Sequence, residues 1–133
     1  MGKDIIMKYL TDYTEAATTK LLNDCGAFYA FGTKQFDEQK REGITYVSMG
    51  AGLICPKENA DRIFDGVNGI LAAGIAADLK ENGKDGIIRR ELANHEAYYT
   101  GDIGPTVAVL TAYGFTPDEI MAVYLRERSS QEA

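Results

Sequence analysis

No stretch of 18 apolar residues occurs in the sequence, so no segment reads as a membrane-spanning helix. Met1, Gly2 and Lys3 lead into a charged amphipathic stretch without the apolar core and cleavage site of a secretory signal, which predicts a cytoplasmic chain. Cysteine is scarce. Cys25 and Cys55 are too few for a disulfide scaffold, and a chain of 133 residues does not need one, so two buried thiols are expected. Histidine occurs once, at His95, and the position four residues later is Tyr99; the paired histidines of a zincin helix are therefore excluded. The glycines around Ala51 are not followed by Lys-Ser/Thr, which excludes a phosphate loop. No cofactor or metal site is expected. Repeats, acidic tails and low-complexity blocks are also missing, and only residues 129–133 read as a frayed end.

What is present is the balance of a globular protein: 45% hydrophobic and 26% charged residues, enough apolar area to offset the entropy of ordering one domain over residues 1–128. Fourteen Lys and Arg against 20 Asp and Glu leave a net charge of −6, which opposes contact with nucleic-acid phosphates and anionic lipid. A partner that is itself a basic protein surface fits this charge.

Hydrophobic spacing predicts the elements. Over residues 4–24, Ile6, Tyr9, Leu10, Tyr13, Ala17 and Leu21 recur at three- and four-residue intervals, a long amphipathic helix with Tyr9 and Tyr13 on its core side, stopped by Gly26. Residues 27–31 form a short apolar run, helical or extended, and Thr33 is placed to cap a short helix through Arg41 anchored by Phe36. Residues 43–56 carry β-formers punctuated by Gly50 and Gly52, a hairpin that needs a further strand, from residues 28–31 or from a second copy in a homodimer. Residues 57–82 carry a helical stripe including Ile63, Phe64, Val67, Leu71, Ile75 and Leu79, in which the glycines Gly66, Gly69 and Gly74 either break the helix near Gly66 to Gly69 or, the preferred reading, allow close packing. Gly83 ends it, and Asp85 can cap a further helix with Ile87, Ile88 and Leu92 inward. Another helix ends at Gly114. The last, from Pro117 to about Arg128, opens on Thr116 and Glu119 as a capping box, with Phe115 and Ile120 as a hydrophobic staple. The fold class is α+β and predominantly helical, with five or six helices and a small β-hairpin or sheet.

The densest functional vocabulary lies in residues 89–102. Arg89 and Arg90 can clamp an anion bidentately or pair at the surface with Asp85 or Glu91. His95 with Glu96 or Asp102 can move a proton near neutral pH, which makes a small hydrolase or small-molecule-binding domain centred on His95, Glu96, Tyr99 and Asp102 the second reading. The plainer reading has Asn94 and His95 satisfying a helix end while Tyr98 and Tyr99 pack the turn. Tyr98, Tyr99 and Tyr124 suit an edge or interface, and Asp61, Asp65, Asp78 and Glu81 suit steering charges if they share a face.

The string from Asn94 to Asp102, the segment from Gly26 to Phe31 with Phe36, and residues 55–59 resemble small accessory proteins carried by bacterial phages and integrative elements. That resemblance covers most of the chain and implies an acidic inhibitor of a host defence nuclease, of the anti-CRISPR or antirestriction kind, without implying any chemistry. The first reading is therefore a non-enzymatic protein-binding module without catalytic residues, using Arg89, Arg90, Asn94, His95, Tyr98 and Tyr99 as its binding set.

Overall fold

The computed structural model describes residues 8–132 and realises the helical α+β class as six helices and a three-stranded antiparallel sheet among them. Chain order is α1 (Leu10–Asp24), β1 (Phe28–Tyr29), α2 (Thr33–Gln39), β2 (Tyr46–Gly50), β3 (Leu53–Pro56), α3 (Ala60–Asn94), α4 (Ala97–Thr100), α5 (Gly104–Leu110) and α6 (Pro117–Glu132). Two compact units result. A sheet-bearing unit comprises Leu10–Gly74, and among the described residues a helical unit comprises 75–132 together with Lys8 and Tyr9.

In the sheet-bearing unit the strand order is β1-β3-β2, so the apolar run after Gly26 is extended and supplies the third strand that the hairpin needs. The turn between β2 and β3 holds Ala51 at φ 53° and Gly52 at φ 82°, the two positive angles of a tight hairpin turn whose twist suits the flanking strands. Cys25, Cys55 and Ile63 form the core of this unit, with Leu21, Leu22, Val47, Met49 and Ala60 around them. Both thiols are free and buried, and burial, with Cys25 nearby, pushes the Cys55 thiol up. The expected helix over residues 4–24 begins at Leu10; residues 4–7 lie outside the described ones, and Lys8 and Tyr9 are non-helical. Thr33 is the first residue of α2 rather than its cap. Gly32 takes the cap position, and the short helix is tied instead by the Gln35 side chain, which accepts the Phe31 N–H at 2.7 Å.

The glycines of α3 separate by role. A Cβ at Gly66 would stand 2.6 Å from Leu21 Cδ2, and one at Gly74 2.5 Å from Thr14 Cγ2, so these two let α1 and α3 approach closely; Gly69 meets nothing. Phe64 and Val67, assigned by periodicity to the inward stripe, are exposed at 61% and 36%.

In the helical unit, Ile87, Ile88, Leu92, Ala97, Leu110, Ile120 and Val123 make one core. The capping box at α6 is formed as its sequence implies: Thr116 Oγ1 accepts the Glu119 N–H at 3.1 Å, and Glu119 Oε1 accepts the Thr116 N–H at 2.8 Å. Helix α6 runs on to Glu132, past the expected end near Arg128, and Ala133 lies outside the described residues. Thr116→Ala is expected to lower stability by about 1 kcal/mol, read as a shift in urea midpoint with an unchanged slope.

Candidate functional site

The polar centre of the helical unit begins with a break in a helix. Gly83 has φ 72° and ψ 161°, a region essentially restricted to glycine, and it bends α3. Residues twelve apart on a straight helix are separated by about 18 Å along its axis. Across this bend, Asp78 and Arg90 instead form a two-pronged ion pair, Nη1 to Oδ1 at 2.9 Å and Nη2 to Oδ2 at 3.0 Å.

Everything around that pair is satisfied. Arg90 Nε donates to Glu91 Oε2 at 2.6 Å, and Nη1 also donates to the Lys8 carbonyl at 2.9 Å, while the Tyr9 ring lies 5.5 Å from the guanidinium carbon. Asp78 accepts from Asn82 Nδ2 at 2.7 Å and from the Tyr113 hydroxyl. Glu91 places Oε1 3.5 Å from His95 Nε2, and its backbone carbonyl accepts the Thr106 hydroxyl at 3.2 Å. Asp78 and Thr106 are fully buried, Arg90 and Glu91 nearly so, and among the described residues no buried side-chain polar atom lacks a partner. Burial alone would raise the Asp78 carboxyl. Hydrogen bonds from Arg90, Tyr113 and Asn82, together with the Arg90 charge, outweigh burial and hold it below the usual carboxylate value. Burial and the Asp78 carboxylate push the Tyr113 hydroxyl up.

These positions differ from those the sequence alone implies. Arg90, by its sequence an anion clamp or a surface ion pair, does pair with Glu91, but in the interior rather than at the surface, and the bend adds Asp78 to it. Asp78 was expected among solvated steering charges and is instead the centre of the cluster. Arg89 is at the surface and pairs with Glu127 at 3.5 Å, while Asp85 pairs with Arg126 at 3.2 Å rather than with either arginine. Tyr113 and Thr106 join the cluster without a sequence motif that marks them. One signal was available for Asp78: it falls three residues after Ile75 and seven after Leu71, on the inward stripe, where a carboxylate needs a partner.

The His95 segment stays open rather than converging. Glu96 sits at φ 57° and starts the single turn of α4, which Gly101 closes at φ 77°. Asp102 spends Oδ1 on the Gly104 N–H at 2.8 Å, tying down the start of α5. Tyr99 is 91% exposed, whereas Tyr98 is half-buried and stacks on Tyr124 with centroids 5.6 Å apart. Asn94 is exposed. Among the described residues no hydrogen bond or ion pair joins His95 to Glu96, Tyr99 or Asp102, and its carboxylate neighbour is Glu91. No group of three or more His, Cys, Asp or Glu residues among the described ones is arranged to hold a metal ion. The imidazole thus faces a carboxylate one helical turn back on its own helix, that of Glu91.

Large aromatic surface is exposed elsewhere. On the sheet-bearing unit Phe31 is 73% exposed and stacks on Tyr29, with centroids 6.3 Å apart and planes 10° apart. The Phe31 ring lies directly over the hairpin turn, since a Cβ at Gly52 would come within 2.3 Å of it. The Ala30 N–H to Gly52 carbonyl bond, at 2.9 Å, fixes the backbone beneath. No helix of the described residues is long and apolar enough to cross a membrane.

A family model described as a family of unknown function (DUF7659) matches residues 10–127. No curated protein and no solved structure matches the chain.

Proposed function

The chain belongs to that family, and from its own geometry we propose that it is a non-enzymatic protein-binding module whose docking surface is the Tyr29–Phe31 pair on the sheet edge. The observation that carries this reading is that Phe31 stands in solvent while being held in place by its stack on Tyr29 and by its seat on Gly52. A fixed, exposed aromatic loses little freedom on docking, and aromatic anchors of this kind dominate binding energy at interfaces. The net charge of −6 favours a partner with a basic surface and speeds its encounter. Resemblance to mobile-element accessory proteins makes a host defence nuclease, with its basic nucleic-acid channel, the partner class of this reading, met in the cytoplasm. The protein competes for that channel without touching nucleic acid itself.

Capture experiments from lysate of a defence-bearing bacterial host test the proposal. A basic nuclease should be retained at low salt and released progressively as ionic strength rises beyond about 0.15 M, where exposed charges are screened within roughly 8 Å. Retention of acidic proteins alone, or of nothing, counts against it.

A further inference from the structure

Alternation along β1 turns Tyr29 outward and Phe28 to the opposite face, where the sheet-bearing unit has a cleft of about 470 Å³. That volume lies in the range of small-molecule sites. The cleft is walled by Phe28 and Tyr46, which meet edge-on with centroids 5.5 Å apart, and Phe36 backs Tyr46 at 5.6 Å. Ile44 and Pro56 extend the apolar lining. Gly26 at φ 74° brings the end of α1 against Pro56, where a Cβ would touch Pro56 Cγ at 3.4 Å.

Three of the residues lining the cleft carry polar groups with capacity to spare. The Arg41 guanidinium and the Asn23 amide have no hydrogen-bond or ion-pair partner among the described residues. Tyr46 accepts the Arg41 backbone N–H at 3.0 Å, which leaves its hydroxyl proton available to a ligand. Asp24, the carboxylate of the cleft, is bound to Lys20 at 2.7 Å, which holds it ionised and offsets its charge toward an incoming anion.

We propose that this cleft binds a small apolar carboxylic acid, with its carboxylate forked by Arg41 and its body laid against Phe28 and Ile44. One guanidinium matches one carboxylate in charge and in planar geometry, while a phosphate would call for more positive charge than this acidic chain places there. The site is independent of the docking face, because Phe28 and Tyr29 look to opposite sides of the strand.

Amide-resolved NMR titration with sodium 3-phenylpropanoate tests it, with 3-phenylpropanamide and a tripeptide ending in phenylalanine as parallel arms. The acid should shift the Gly26, Ala27 and Arg41 amides saturably and bind about tenfold or more tighter than the amide, the loss expected for one charge-assisted contact. Arg41→Gln should weaken the acid by a similar factor and leave the amide compound unchanged, and Tyr46→Phe should weaken the acid less. The proposal is overturned by the absence of saturable shifts, by equal binding of acid and amide, or by an Arg41→Gln protein that titrates like the parent. Tighter binding of the tripeptide than of the small acid would also overturn it, in favour of a chain-terminus site.

Discussion

Asp78→Ala is expected to destabilise the helical unit by about 3–5 kcal/mol, because it leaves the Arg90 guanidinium buried without its bidentate partner. The thermal midpoint should fall by roughly 10 °C or more. The loss is large because nothing else can take over: Arg90 is buried, Glu91 already occupies its Nε, and water cannot reach the vacated position without opening the core. Adding Arg90→Met should cost less than its effect in the parent, so that the two changes are strongly non-additive in a double-mutant cycle. Acid dependence gives an independent check. The folded-state carboxyl of Asp78 is held below its unfolded value, so its stabilisation is complete above about pH 4 and is lost as pH falls through the lower folded value. Urea midpoints of the parent should therefore drop on the acid side more steeply than those of Asp78→Asn. Equal slopes would mean that folding leaves the Asp78 carboxyl at its unfolded value, and that the ion pair with Arg90 does not favour its ionised form.

Gly83→Ala is expected to destabilise the same unit by a smaller amount. At φ 72° and ψ 161° a Cβ costs about 1–3 kcal/mol, and the alternative, a straightened α3, pulls Asp78 from Arg90. The cheaper route is the one taken, so the denaturation midpoint should fall clearly, but by less than in Asp78→Ala. The two changes together should fall well short of additive, since both dismantle one cluster. A glycine-to-alanine change at Gly69, where a Cβ meets nothing, serves as the control and should be neutral or slightly stabilising.

These two residues also mark where the sequence could be read and where it could not. Gly83 was legible as the end of a helix, since glycine is the usual residue at such a break. The consequence of the break, a carboxylate meeting an arginine twelve positions later, depends on the bend angle, which no periodicity encodes. The capping box at Thr116 and the closing glycine at position 114 were legible because their hydrogen bonds are local. Phe28 and Tyr29 joined the sheet through pairing with Ile54 and Leu53, a contact between distant residues that a five-residue apolar run leaves undecided. For the same reason the segment holding His95 looked chemical as a string of letters. Its side chains diverge because Glu96 turns the chain left-handed and Asp102 is used on its own backbone.

The proposed function rests on surface recognition rather than on chemistry at His95. It is tested most directly by measuring the affinity for the captured basic nuclease, once identified, of three proteins: the parent, Tyr29→Ser/Phe31→Ser and His95→Ala/Asp102→Asn. Loss of about 2 kcal/mol or more, roughly 30-fold, in the aromatic variant with parent-like affinity in the His95 variant is the predicted result. Undiminished binding by the aromatic variant alongside its loss in the folded His95 variant would contradict the claim.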